Sequence, residues 1–217
     1  MKKIIGYSLF FIVLTIGFLV AVFWDRDLSA KPATISYVKP FSFITQDERL
    51  FTEQDMRGKV SVVEYFFTTC KSICPKMNKN MAEIYEEFKD EPDFQIVAYT
   101  CDPETDSASR LRHYADSMGI DTKKWHLLTG RKDSLYYTAR NSYLLDDPKN
   151  NFEKIEDQFL HTQFFALVDK GGNVRGQVYD GLKKDEIAQL KKNIKLLLKE
   201  KEGHSGFANS IFTNNPN

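Results

Sequence analysis

Two cysteines four positions apart, Cys70 and Cys74, stand in the run Phe66-Phe67-Thr68-Thr69-Cys70-Lys71-Ser72-Ile73-Cys74-Pro75. The run leaves an apolar, strand-like segment and meets a proline suited to the first turn of a helix. Unpaired N–H groups and the positive end of the helix dipole favour thiolate over thiol at such a place. Thiolates are soft ligands and nucleophiles, so the pair is suited either to holding a soft metal or to cycling between dithiol and disulfide. A plain structural disulfide is also compatible with this spacing in an oxidising compartment. Common dithiol redox pairs enclose two residues. The three enclosed here make a wider loop, in which both sulfurs can point at one ion.

The remaining candidates are weaker. A third cysteine, Cys101, ends a second apolar run and reads as a small buried residue, near the site but not a ligand. His113 falls on the polar side of a helical segment, and His126 follows Trp125 in a strand-like one; both read as structural or exposed. His204 lies near the C-terminus. Met77 and Met81 are soft donors by type, yet they fall on the apolar stripe of their helix and read as core. Asp102 and Asp106 precede another helix and read as capping residues, with docking of a partner as the alternative.

The elements that must position the cysteines follow from periodicity. Phe41 to Thr52 alternates around Gln46-Asp47-Glu48-Arg49 and predicts a β-hairpin. Val60 to Phe67 and Phe94 to Thr100 are near-continuous apolar runs suited to central strands. Met77, Met81, Ile84, Tyr85 and Phe88 recur at helical spacing, as do Ala108, Leu111, Ala115 and Met118, the latter ended by Gly119. Trp125 to Leu128 predicts a short strand and Asp133 to Tyr143 a helix; Leu144 to Leu160 is polar and loop-like. Gln163 to Val168 and Val174 to Tyr179 predict a hairpin around Lys170-Gly171-Gly172-Asn173. Ile187, Leu190, Ile194, Leu197 and Leu198 mark a closing helix.

Hairpin, two β-α crossovers, terminal hairpin and helix spell a thioredoxin-like α/β fold with an N-terminal β-hairpin extension. Right-handed crossovers make the two apolar strands parallel neighbours, so the loops at their C-terminal ends share one edge. The site is expected there.

Ahead of this domain, Lys2 and Lys3 precede an uncharged run from Ile4 to Trp24, followed by Asp25, Arg26 and Asp27. At ~1.5 Å per residue such a run spans about 31 Å, the thickness of a hydrocarbon core. It predicts one transmembrane helix, longer than the apolar core of a cleaved signal peptide, with cleavage near Leu28-Ser29-Ala30 as the alternative. The two lysines put the N-terminus in the cytoplasm and the rest on the exported, periplasmic or equivalent, side. The expected organisation is an anchor in residues 1–27, a linker in 28–35 with an extended course to Lys39, a domain in 36–202 and a disordered tail in 203–217. Thirty basic and thirty acidic side chains cancel without a basic stripe, which excludes nucleic-acid binding. Three cysteines are too few for a disulfide scaffold.

At Gly58 to Met81 the sequence resembles the Sco/SenC family of copper chaperones for cytochrome c oxidase assembly, marked by Cys-x-x-x-Cys-Pro after a strand. Further matches are Cys101-Asp102-Pro103-Glu104-Thr105-Asp106, Trp125-His126-Leu127-Leu128-Thr129-Gly130, and Leu160-His161-Thr162 before a strand ending in Asp169. The resemblance covers about residues 36–200. It departs from the family at Thr69, where members often have His, at Lys71, where they often have Pro, at Ser107-Ala108 and at Cys101. The resemblance implies that Cys70, Cys74 and His161 bind one copper ion. It also implies a copper-accepting oxidase subunit as partner, besides other copper chaperones or thiol reductants. The donor types agree, because two thiolates and an imidazole suit Cu(I) and tolerate Cu(II). His161 also takes the neighbourhood where thioredoxins carry a proline, since none occurs between Pro148 and Pro216. The alternative reading is a membrane-anchored thiol-disulfide oxidoreductase or redox sensor with Cys70 and Cys74 as its pair.

Overall fold

The structure, a computed structural model, describes Tyr7 and residues 11–18, 31–145 and 163–200. The chain divides into two compact units, Met1–Lys31 and Pro32–Asn217. In the first, residues 11–18 are helical. Among the described residues no helix is long and apolar enough to cross a membrane, and most of the Ile4 to Trp24 run lies outside them. So do the predicted tail, His204 and His161.

The second unit is one mixed sheet flanked on both faces. Its elements are β1 (Thr34–Tyr37), β2 (Ser42–Thr45), β3 (Leu50–Thr52), β4 (Val60–Phe66), α1 (Cys74–Phe88), β5 (Phe94–Thr100), α2 (Ala108–Met118), β6 (Trp125–Thr129), α3 (Lys132–Thr138), β7 (Phe164–Val168), β8 (Asn173–Arg175), β9 (Tyr179–Asp180) and α4 (Lys184–Leu198). Strand order is β1-β8-β7-β4-β5-β6-β2-β3, with β9 also on β7.

β4 and β5 run parallel in full register, Val60 opposite Phe94 through Phe66 opposite Thr100. Both are buried at every residue, which is why they read as apolar runs rather than as alternation. The pleat sorts their side chains onto two faces. Val62, Phe66, Ile96 and Ala98 pack against α1, α2 and α4 through Met77, Met81, Leu111, Leu190 and Ile194. Val63, Tyr65, Val97 and Tyr99 pack against the β2–β3 hairpin and α3. Met77 and Met81 are completely buried, as their stripe required.

The predicted hairpin forms from β2 and β3 and extends the sheet beyond β6. Gly119 terminates α2 at φ 64°, and its N–H caps Ala115 O and Asp116 O.

Four expectations shift. Thr34–Tyr37, read as linker, is an edge strand paired with β8; backbone pairing with a distant partner decides it, and prolines at positions 32 and 40 only bracket it. The helix expected over Asp133 to Tyr143 changes at Ala139 to a π-helical turn. The strand expected over Val174 to Tyr179 breaks at Gly176, whose φ of 83° no β-branched residue would adopt. Met118, expected on the apolar stripe, is exposed.

Asp169 closes the β7–β8 turn. Its Oδ1 accepts from Gly171 N and Asn173 N, both at 2.9 Å. Arg175 Nη1 bridges to its Oδ2 at 2.5 Å, largely out of solvent.

Candidate dithiol site

β4 delivers the chain to the C-terminal edge of the sheet, and a short turn carries Cys70. Cys74 is the first residue of α1, with Pro75 behind it; Ile73, which precedes the helix, makes no side-chain cap. A helix start without a cap leaves N–H groups unspent. The Cys70 sulfur, half-buried, uses this: it takes hydrogen bonds from the side chain and backbone of Cys74 and from Ser72. Its contact with the Ser72 hydroxyl spans 3.7 Å.

The two thiols are unlike. Burial alone would push the Cys70 thiol up, but the hydrogen bonds from Cys74 and Ser72 outweigh it and hold Cys70 below the ordinary thiol range. Cys74 is 5% exposed. Burial, then the hydrogen bond it shares with Cys70, pushes its thiol up to about 12. Of the two, the accessible Cys70 is therefore the readier to give up its proton and Cys74 the more reluctant. Such a pair is a nucleophile on one side and the beginning of a soft metal site on the other.

Cys101 is close in the chain path but lies on the opposite face. Its backbone N–H donates to Phe66 O at 2.8 Å, while its side chain packs in the cluster with Tyr65, Tyr99 and Leu135. All three cysteines are thiols. Burial drives the Cys101 thiol well above its normal range, which makes it inert. His126 is likewise structural: its ring sits 5.0 Å from that of Phe51, and burial drops it to about 4. His113 is exposed on α2, on the rim of an open cleft of about 750 Å³ that also takes in Thr68, Arg110 and Tyr114. Among the described residues no third His, Cys, Asp or Glu joins the pair to form a metal cluster.

Two residues that matter here escape sequence reasoning. Glu64 stands in the middle of β4, 1% exposed, on the face shared with Phe66 and α1. Its Oε2 has no hydrogen-bond partner, and neither has the Oδ1 of buried Asn78 one turn beyond Cys74. Asn78 donates to the Tyr114 hydroxyl from its amide nitrogen. Burial pushes the Glu64 carboxyl up to about 8, and Glu64 in turn helps raise both Cys74 and Tyr114. The available signal was a lone acid in an otherwise apolar run.

The second is Asp106. It was expected to cap α2, but Ser107 does that, its hydroxyl accepting from Arg110 N at 3.3 Å. Asp106 turns inward instead and accepts from Thr68 and Thr100. Asp102 keeps a local role, accepting from Thr105 N at 3.4 Å.

A dithiol set between the end of a central strand and the start of a helix, over a sheet with helices on both faces, defines a thioredoxin-like dithiol protein. A family model described as SCO1/SenC matches residues 29–196, and the chain belongs to that family. The SCO1 protein homolog of Bacillus subtilis (strain 168) is 30% identical over 141 residues, which cover 63% of this chain and 70% of the relative. The solved structure of BsSco, described as a member of the Sco family of cytochrome c oxidase assembly proteins with a disulfide switch, is 28% identical. It superimposes with a TM-score of 0.65 over 79% of this chain and 99% of that one. Yeast Sco1 with copper bound shares the fold at 22% identity and a TM-score of 0.55, over 75% and 95% of the two chains.

Proposed function

We propose that the protein is a copper carrier in which Cys70, Cys74 and His161 hold one copper ion as cargo for the copper-accepting subunit of cytochrome c oxidase. The observation that carries this reading is the pair of unlike thiols: a half-exposed Cys70 on the turn after β4 beside a buried Cys74 at the start of α1. Copper in yeast Sco1, and the membership of BsSco in a family of oxidase assembly proteins, support both the metal and the partner. His161 lies three residues before β7. The antiparallel register of β7 on β4, Ala166 opposite Val63 and Val168 opposite Ser61, runs the start of β7 toward the edge where β4 delivers Cys70. Three residues reach at most about 11 Å, so chain length is compatible with an imidazole at the pair. A two-thiolate, one-imidazole site is open on one side, and an incoming ligand can attack before the old ones leave.

His161→Ala is expected to weaken Cu(II) binding far more than Cu(I), because two thiolates still satisfy Cu(I). Anaerobic Cu(I) competition and Cu(II) absorption titration on the same variant read this difference. Unchanged affinity for both states would remove His161 from the ligand set.

The second reading is a thiol-disulfide oxidoreductase or sensor. An accessible thiol held below its ordinary range beside a buried partner is the arrangement that attacks a disulfide and then resolves the mixed intermediate, and the disulfide switch described for BsSco favours it. A His161→Ala protein that keeps both copper affinities and reduces target disulfides at the wild-type rate would decide for it.

The domain is further proposed to work outside the cytoplasm, anchored by the Ile4 to Trp24 run with Lys2 and Lys3 inside. A phosphatase that folds only after export, fused behind Asn217, is expected to be active. An inactive phosphatase fusion, together with activity from a reporter that works only in the cytoplasm fused at the same point, would reverse the topology.

A further inference from the structure

The turn between β5 and α2 belongs to a different crossover from the one that carries the cysteines, yet it reaches into their loop. Asp106 is completely buried there. Its Oδ2 accepts from Thr68 N at 3.0 Å and from the Thr100 hydroxyl at 2.7 Å; its Oδ1 accepts from the Thr68 hydroxyl at 2.5 Å. Arg110 Nε donates to that same Thr68 hydroxyl at 2.7 Å and lies 3.6 Å from Asp106 Oδ1, so the buried carboxylate has both a countercharge and three donors.

These contacts meet the chain at one peptide unit. The N–H of the Phe67–Thr68 peptide goes to Asp106, and the C=O of the same peptide accepts the N–H of Cys70 at 3.2 Å. Peptide units are planar and turn as one body. Fixing the N–H at one end therefore fixes the direction of the carbonyl that holds Cys70 at the other. The Phe67 backbone also hydrogen-bonds to Cys74. The residues from Phe67 to Cys70 otherwise have no strand or helix to hold them.

We propose that Asp106 is a positioning residue for the dithiol: by clamping the Phe67–Thr68 peptide from the neighbouring crossover, it sets Cys70 against Cys74. The inference rests on the reading of Cys70 and Cys74 as the working pair and holds whether that pair carries copper or exchanges disulfides.

The test uses three variants of the full chain and two measurements, the Cu(I) affinity and the position of the Cys70–Cys74 dithiol–disulfide equilibrium in a glutathione buffer. Asp106→Ala is expected to shift each by about tenfold or more, the size of losing a charge-assisted hydrogen bond in a precise site. Asp106→Asn can keep its oxygen on Thr68 N–H and the Thr100 hydroxyl and turn its amide toward the Thr68 oxygen. It should therefore stay within about threefold of wild type. Thr68→Val keeps the backbone bond, removes only the hydroxyl that Asp106 and Arg110 share, and should shift both readouts in the same direction as Ala by a smaller factor. It also serves if Asp106→Ala does not fold. A folded Asp106→Ala protein with wild-type values in both measurements overturns the proposal, as does a Thr68→Val protein indistinguishable from wild type. If the wild-type protein fails to bind copper, the copper reading falls while the glutathione equilibrium still decides the role of Asp106.

Discussion

Cys70→Ala and Cys74→Ala each leave a single thiolate, and Cu(I) affinity is expected to fall by on the order of a thousandfold or more. The two losses should be equal in kind but different in their side effects. Cys70 is half-buried at the loop, so its removal should leave stability nearly unchanged; Cys74 is 5% exposed in the core around Met77 and Phe66, so its truncation should also cost about 1 kcal/mol. Cys101→Ser is the internal control. It lies on the other face of the sheet, so copper affinity should stay within about threefold, while a hydroxyl in that apolar cluster should lower stability by roughly 1–2 kcal/mol. Competition against a chromophoric Cu(I) chelator, with denaturant unfolding of the metal-free proteins, reads all three. Copper lost from Cys101→Ser with the fold intact would mean that the ligand set is wrong.

The second large effect is on stability rather than on metal. Glu64 has an ordinary carboxyl value of 4.5 in the unfolded chain and about 8 in the fold. Below pH 4.5 both states hold the proton, and the folded state bears no penalty from this group. Between 4.5 and 8 the unfolded chain releases its proton while the folded protein retains it. Stability therefore falls as pH rises through this window, by about 1.4 kcal/mol per unit, and levels off above it. Glu64→Gln keeps the shape of the side chain and removes the titration. The variant and the wild type should be similar near pH 4.5, and by pH 8 the variant should be the more stable by roughly 4 kcal/mol. Guanidinium unfolding at both pH values measures it. Two parallel stability curves would show that Glu64 titrates as an ordinary carboxylate.

Much of the fold could be read directly. The strands over Val60 to Phe66 and Phe94 to Thr100 were legible because they are buried on both faces, and burial on both faces writes an unbroken apolar run. The helix stripe from Met77 to Phe88 was legible because one face of α1 meets the sheet. β1 was not, because four residues at an edge owe their structure to β8, about 140 positions away. The cysteines were legible from residue type and spacing. Their supports were not. Asp106 sits where a capping residue belongs, and only the packing of the β5–α2 turn on the β4–α1 loop turns it toward Thr68. Glu64 vanished into its own strand, because a pattern of apolar residues tolerates one exception without changing its period. Distance along the chain hides these contacts, and a sequence read in order has no means of folding two crossovers together.

The strand order also governs how the protein comes into being. The central strand β4, early in the chain, has β5 on one side and β7, a hundred residues later, on the other; β1 must wait still longer for β8. During synthesis the half-sheet β4-β5-β6 can assemble as it emerges, with local helices to cover it. Its other flank stays open until residues 164–175 arrive. The dithiol loop borders that open flank. A late portion of the chain thus shuts the edge beside Cys70 and Cys74, and the growing chain holds its thiols before their final neighbours are made. Non-local pairing of this kind is slow compared with helix formation, so the edge beside the two cysteines is among the later parts of the sheet to close.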